Sequence, residues 1–220
     1  MTPRRYATLR AILDRRQADL TVLMDNVHKP HNVSAVMRTC DAVGIPTLHA
    51  ISTKERFRAS PSSSGGTRRY VEVVTHPTYD DAFAVLRERG LKIYSADLTP
   101  DAVDFRSIDF TQPTAVLLGA EKFGVSDEAT ARVDGAITIP IVGAVESLNV
   151  SVAAAVILYE AQRQREAAGL YDHIQLDEET RQRLLFEWGY RRLATTYQKK
   201  GWPYPRIGEA GELLDPRRRG

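Results

Sequence analysis

The chain is short of several things at once, and each shortage closes off a class of protein. Its 220 residues hold one cysteine, Cys40. No internal disulfide framework can form, and a reducing cytoplasm is the expected setting. The five histidines are scattered without the spacing of a metal-ligand set, so no metal is expected. No apolar run approaches the roughly 18 residues of a membrane span. The stretch MTPRRYATLRAILDRRQ lacks the continuous apolar segment of a secretory signal. No GxGxxG opens a helix after the first strand, no GxxxxGK[ST] occurs, and no GxSxG elbow is present. Dinucleotide sites, P-loops and α/β-hydrolase chemistry are therefore unsupported.

What is present is an alternation. With 43% hydrophobic and 26% charged residues, the chain can build its own core. A helix is expected over 4–19, with Tyr6, Leu9, Ile12 and Leu13 as its apolar stripe. A strand follows in LTVLMDNV. The next helix runs from about Asn32 to Val43 and turns Val33, Val36, Met37 and Cys40 inward. Asn32 and Arg38 lie six residues apart, about −120° around a helix, which places Asn32 in the loop before the helix proper. Strands at 46–51, 70–75 and 91–98 and a helix at 78–90 continue the pattern. Alternating strands and helices imply an α/β protein with a mainly parallel sheet flanked by helices.

The stretch 137–164 closes the pattern. Ile137, Ile139 and Ile141 alternate as a strand entering a turn at Gly143. The polar knot Glu146-Ser147-Leu148-Asn149 then opens a long helix packed through Val150, Ala153, Ala154, Ile157, Leu158 and Ala161. Ser147 or Asn149 suits its N-cap. Ligands of such sheets sit beyond the strands' carboxyl ends. That draws 96–98, 118–121 and 139–141 toward one pocket. The glycines Gly119, Gly124 and Gly143 all come late, which is unusual for an ordinary doubly wound sheet.

The formal charge is only +2, but it is unevenly spread. Residues 1–20 set five arginines against Asp14 and Asp19, and 54–69 holds five basic residues and one glutamate. Basic arms around an acidic middle suggest a polyanionic partner. Ordinary solvated helices are the alternative.

Three motifs together resemble the SpoU/TrmH branch of the SPOUT RNA methyltransferases: Asn32 with Arg38, the glycine–glutamate turn in LLGAEKFGVS, and ESLNVSVAAAVILYE. The resemblance covers about 21–160. It extends into the basic N-terminal helix, YEAQRQR and LLFEWGY…KKGWPYP, which are similar to members that methylate the ribose of guanosine 18 in tRNA. It implies an S-adenosylmethionine-dependent ribose 2′-O-methyltransferase with a C-terminal trefoil knot, working as a homodimer on the tRNA D-loop. Three segments are implied: a basic arm at 1–20, the catalytic domain at 21–160 and a tRNA-binding helical arm at 161–220. The rivals are a family relative acting on ribosomal RNA or another tRNA position, and a non-catalytic RNA-binding module.

The resemblance also assigns residues. Ala96, Leu98, Leu118, Gly119, Ile139, Ser147 and Leu148 are expected around the cofactor. Arg38 is expected at the ribose hydroxyl, either holding a substrate phosphate that takes the proton or acting as base itself. The phosphate version needs no extreme shift of an always-charged guanidinium. A surface arginine paired with Asp41 is the plainer alternative. Asn32 orients the ribose or holds Arg38, or caps its helix. Glu121 positions Arg38 or Asn149, and Asn149 stabilises the knot loop. Arg4, Arg5, Arg10, Arg15, Arg16, Arg58 and Arg68 are expected on RNA phosphates. Trp188, Tyr190, Tyr197, Trp202 and Tyr204 stack bases or, as the favoured reading, pack a core.

Overall fold

The computed structural model describes residues 1–27, 29–52, 69–120 and 124–214. The chain divides into two compact units: Met1–Arg16 with Tyr171–Gly220, and Gln17–Leu170.

The smaller unit joins the two ends of the chain. Helix α1 (Pro3–Asp14) is capped by Thr2, whose hydroxyl accepts from the Arg5 amide. It stops at Asp14, short of the expected residue 19. Its buried Leu9 and Leu13 face the unit's interior, and it packs on α6 (Glu178–Gly189). Helix α7 (Arg191–Lys200) and a small antiparallel hairpin, β8 (Arg206–Ile207) with β9 (Leu213–Leu214), complete it. Phe186 gathers Tyr190, Tyr197 and Tyr204 at centroid distances of 5.9, 5.4 and 4.7 Å. Trp202 meets Tyr197 edge-on. These aromatics form a packed cluster, the geometry aromatic quadrupoles favour.

The larger unit is a parallel sheet. Its strands are β1 (Leu20–Asp25), β2 (Thr47–Ile51), β3 (Glu72–His76), β4 (Lys92–Ala96), β5 (Val103–Asp104), β6 (Thr114–Leu118) and β7 (Gly135–Thr138). They lie in the order β3-β2-β1-β6-β4-β7-β5. All six residues of β1 are buried, as befits a strand covered on both faces. Side chains alternate across it. Leu20, Val22 and Met24 face α2 (Pro30–Ala42) and α5 (Val150–Ala167), which supply Val33, Val36, Met37 and Cys40, and Val150, Ala154, Ile157, Leu158 and Ala161. Leu23 faces α3 (Tyr79–Glu88) and the short α4 (Asp127–Thr130), with Ala82, Phe83, Leu86 and Ala129.

Two expected boundaries move. The helix expected from about Asn32 starts two residues earlier, with Pro30 in its first turn, where the missing N–H costs nothing and the fixed φ suits the helix. Asn32 is thereby helical. The strand expected through Ile141 ends at Thr138, because Pro140 cannot donate to a ladder. Residues 139–149 form a loop instead.

Two buried polar clusters tie the sheet together. Arg165, with no exposed surface, donates to the carbonyls of Phe110 (2.8 Å) and Gln112 (3.1 Å) and to the side chains of Gln17 (3.0 Å) and Asp19 (2.5 Å). Beside it, Gln164 accepts from the Phe110 amide at 2.8 Å and donates to the Ile108 carbonyl at 3.0 Å. The C-terminal end of α5 is thus clamped onto the chain entering β6. On β2 and β3, His49 Nδ1 and His76 Nε2 lie 2.8 Å apart under stacked rings. Burial, then His76 and then Arg89 push the His49 imidazole down to about 4, and burial lowers His76.

Two tests follow from these clusters. Arg165→Ala strands several buried acceptors and Asp19, so it should cost about 3 kcal/mol in urea denaturation, with a lowered midpoint. His49 is neutral in the fold and titrates near 6.5 when unfolded. The unfolded chain therefore binds more protons between those values, and stability should fall as pH drops from about 6.5 to 4. Denaturation at pH 7.5 and 4.5 should show a smaller loss in His49→Gln than in the parent, by on the order of 1–3 kcal/mol.

Candidate active site

β6 lies between β1 and β4, and β7 between β4 and β5. The carboxyl ends of β4, β6 and β7 are therefore neighbours, beside a point where the strand order reverses. A cavity of about 380 Å³ opens there, walled by these ends, the 139–148 loop and the first turns of α5. It is lined by all seven residues expected around a cofactor, Ala96, Leu98, Leu118, Gly119, Ile139, Ser147 and Leu148. It also holds two carboxylates that the sequence reading had given no role, Asp97 and Glu146. Asp97 directly follows β4, and that position was the available signal.

Among the described residues, the turn after β6 is closed by backbone hydrogen bonds. Ala120 and Gly124 exchange two hydrogen bonds, of 2.9 and 2.8 Å. A Cβ on Gly119 would stand 2.1 Å from the Gly124 carbonyl carbon, so no other residue fits. Gly124 itself has φ +66°, a left-handed conformation that favours glycine. Glu121 falls between these two glycines and lies outside the described residues.

Asn149 caps α5: its side-chain oxygen accepts from the Ser151 amide at 2.9 Å and the Ser151 hydroxyl at 2.6 Å. Its Nδ2 donates to Asn32 Oδ1 at 3.4 Å. Ser147 takes no part in the cap and stays with the cavity. The structure thus joins the first and third motifs through two amides. Asn32 is 2% exposed, and its buried Nδ2 donor has no acceptor among the described residues. Such a donor costs about 1–3 kcal/mol unless something else accepts from it. Lys29, not Asn32, is the N-cap residue of α2. Arg38 stands two turns further along on the exposed side.

Beneath the glycine turn lies a network the sequence reading missed. Asp25 ends β1 and is 1% exposed. Its Oδ1 accepts from the Tyr79 hydroxyl (2.7 Å) and Asn26 Nδ2 (2.9 Å), and its Oδ2 from the Ser126 amide (2.9 Å). The Ser126 hydroxyl donates to the Tyr79 oxygen at 2.9 Å. Burial, reinforced by Asp25, raises the Tyr79 phenol above its usual range. Asn26 reaches this arrangement at φ +51°. Only the run Asp25-Asn26, polar residues closing an apolar strand, hinted at it.

The N-terminal arginines are placed differently from expectation. Arg16 is 1% exposed with its guanidinium 5.5 Å from the Trp188 ring, so burial corrects its assignment to phosphate. Arg10 makes a two-pronged pair with Glu178, Arg5 donates to the Trp188 carbonyl, and Arg15 lies over Tyr171. Arg4 is exposed. Arg58 and Arg68 lie outside the described residues. Among the described residues no three His, Cys, Asp or Glu side chains gather as metal ligands, and no helix is long and apolar enough to cross a membrane.

The cavity lies at the ends of late parallel strands, bordered by the glycine turn and by Ser147 and Leu148, and Asn149 ties that loop to Asn32 of the first motif. This arrangement fits the SPOUT class of α/β methyltransferases, which similarity to known proteins supports. The SpoU rRNA Methylase family matches residues 19–159, and the SpoU rRNA methylase C-terminal family matches 163–216. The chain is 51% identical over 215 residues to the tRNA (guanosine(18)-2'-O)-methyltransferase of Escherichia coli K12, covering 97% of this chain and 94% of that protein. The crystal structure of the A. aeolicus TrmH/SpoU tRNA modifying enzyme superposes with TM-score 0.80 at 39% identity, over 86% of this chain and 97% of that one. The SpoU methyltransferase AviRb of Streptomyces viridochromogenes, solved with AdoMet, gives TM-score 0.63 at 29% identity, over 70% and 64%. The chain belongs to the SpoU methylase family.

Tyr79→Phe leaves Asp25 and Ser126 each one partner short, so it should lower the unfolding free energy by about 1–3 kcal/mol. Amide exchange should speed up at Ser126 while β6 keeps its protection; unchanged exchange at Ser126 would dissociate the turn from this network.

Proposed function

We propose that this protein transfers a methyl group from S-adenosylmethionine to the ribose 2′-hydroxyl of guanosine 18 in the D-loop of tRNA. The observation that carries the reading is the 51% identity over 97% of the chain to a relative of that name, together with two motifs lining one cavity and the third bonded to them through Asn149 and Asn32. The cavity fits the cofactor. Leu98, Leu118, Ile139 and Leu148 offer apolar walls to an adenine, close backbone at Gly119 offers amides and carbonyls, and Asp97 and Glu146 offer negative charge to a cationic ligand. When bound, S-adenosylmethionine supplies a methyl group on a sulfonium, which departs as a neutral thioether.

The protein's task is then to orient a weak nucleophile and remove its proton. Alignment of the hydroxyl is the larger contribution, since fixed geometry can supply about 7–11 kcal/mol of a barrier. The buried Nδ2 donor of Asn32 accounts for one contact: it donates to an acceptor the substrate brings, held in place by Asn149. Arg38 holds a phosphate of the RNA that takes the hydroxyl proton, which leaves the guanidinium charged throughout. Glu121 keeps the role of positioning Arg38 or Asn149.

Homodimerisation is part of the same reading. Val152, Val156 and Tyr159 recur at helical spacing along α5 and are 48, 37 and 54% exposed. Val142 and Val145 in the adjoining loop are exposed as well. A contiguous apolar stripe of this kind calls for a cover, and a second copy supplies it. The 139–149 segment is the part we assign to the trefoil knot, and the enzyme works in the cytoplasm.

Labelled S-adenosylmethionine and unmodified tRNA transcripts should yield 2′-O-methylguanosine at position 18. Label in ribosomal RNA alone would keep the chemistry and overturn the substrate. Arg38→Ala should lower turnover by 10²-fold or more while calorimetry shows the cofactor dissociation constant unchanged. A weakened cofactor affinity would remove Arg38 from the acceptor side.

A further inference from the structure

We infer that the RNA-backbone docking surface of the smaller unit is the outer face of α7, rather than the arginine-rich α1. This rests on the tRNA reading above. On charge alone the N-terminal stretch 1–16, with five arginines against Asp14, rivals α7, but several of its cations are engaged within the fold. Arg10 is paired with Glu178 and Asp14, Arg5 with a backbone carbonyl, and Arg16 is buried.

Helix α7, RRLATTYQKK, presents the opposite case. It buries Ala194 and Tyr197 and contains no Asp or Glu. At 100° per residue, Arg191, Arg192, Lys199 and Lys200 fall within about half of its circumference and span about 13 Å of its length. All four are exposed. None of them joins an ion pair among the described residues. Lys200 lies 4.4 Å from the Trp202 ring centroid, which fixes one end of the row beside an aromatic face. Thr195 and Thr196, on the same side, turn their hydroxyls back onto the helix, so the face is basic without competing donors.

The placement of Arg191 and Arg192 is the telling feature. They open the helix, where the macrodipole is positive and cations are unfavourable. No side chain caps that end, and its first turn holds no acid. The neighbouring α6 follows the stabilising pattern, with Asp177 as cap and Glu178 and Glu179 in the first turn. Two arginines kept against the dipole, facing outward and clear of carboxylates, suit a partner that brings negative charge at regular intervals. A phosphodiester backbone is that partner, and such contacts supply affinity and orientation rather than sequence reading.

The test compares the full-length protein with Arg191→Gln/Arg192→Gln, with the fourfold variant that adds Lys199→Gln and Lys200→Gln, and with Arg4→Gln/Arg15→Gln. Binding of unmodified tRNA is measured from 50 to 200 mM salt. Each phosphate-bound cation removed should flatten the log–log salt slope by about one. The double α7 variant should therefore lose about two and the fourfold variant about four, with at least tenfold weaker binding at 50 mM salt. The melting temperature of the double variant should hold or rise, because an unfavourable dipole interaction is relieved; a structural role would lower it. An unchanged slope, or a loss confined to the α1 variant, overturns the assignment. So does loss of binding to phosphatidylserine vesicles with tRNA binding intact, which would make the face a membrane contact. Failure of the parent protein itself to bind tRNA would instead strike the functional reading.

Discussion

The carboxylate of Asp25 is buried at the end of β1 with no cation beside it among the described residues, and the site is assembled around that fact. A bare charge in such a place is costly unless dipoles replace its water. Three neutral donors do so: the Tyr79 phenol, the Asn26 amide and the Ser126 backbone amide. Each belongs to a different piece of chain. Asn26 begins the connection to α2, Tyr79 opens α3, and Ser126 closes the glycine turn and caps α4. Satisfying one carboxylate therefore fixes where the segment bearing Asn32 and the segment containing Gly119 lie relative to one another. Transfer between a cofactor and an acceptor held by different loops needs that registration, because alignment dominates the chemistry.

The order of strands explains why the cavity is built late in the chain. β6 and β7 insert on either side of β4, so the carboxyl ends that meet belong to the second half of the sheet. No glycine-rich loop is needed after β1, and none is there. Close backbone approach is required after β6 instead, where Gly119 meets Gly124. The loop after β7 then returns over the same strand ends and delivers Asn149 to both the helix it caps and Asn32. One residue thereby fixes the start of α5 and joins two motifs distant in sequence.

Much of this was legible from residue patterns. The parallel sheet, the inward faces of α2 and α5, the Asn149 cap and the lining of the cavity followed from periodicity, capping chemistry and the resemblance. The misplacements have physical causes. Pro30 opens α2, whereas a helix counted only from about Asn32 left that residue in the preceding loop. Ile139 and Ile141 keep strand periodicity because they face a cavity, although Pro140 prevents the ladder from continuing. The Asp25 network, and the Gln164–Arg165 clamp within YEAQRQR, are invisible in principle. Their partners lie dozens of residues away, and each reads locally as an ordinary polar residue near the end of an element.

The arginines make the sharpest case for why charge counts in a sequence mislead. Arg16 and Arg165 are buried and hold aromatic rings and carbonyls; Arg10 and Arg181 bind Glu178 and Asp14 inside the smaller unit. Their planar, multiply donating head groups suit such internal joints, and once engaged they offer a polyanion little. A cation is available for recognition when the fold leaves it without a carboxylate and keeps it at some cost to stability, as at the start of α7. Availability is thus a property of partners rather than of composition. A basic N-terminal stretch can serve chiefly as structural adhesive, while the cations of a short helix such as α7 stay open to a polyanion.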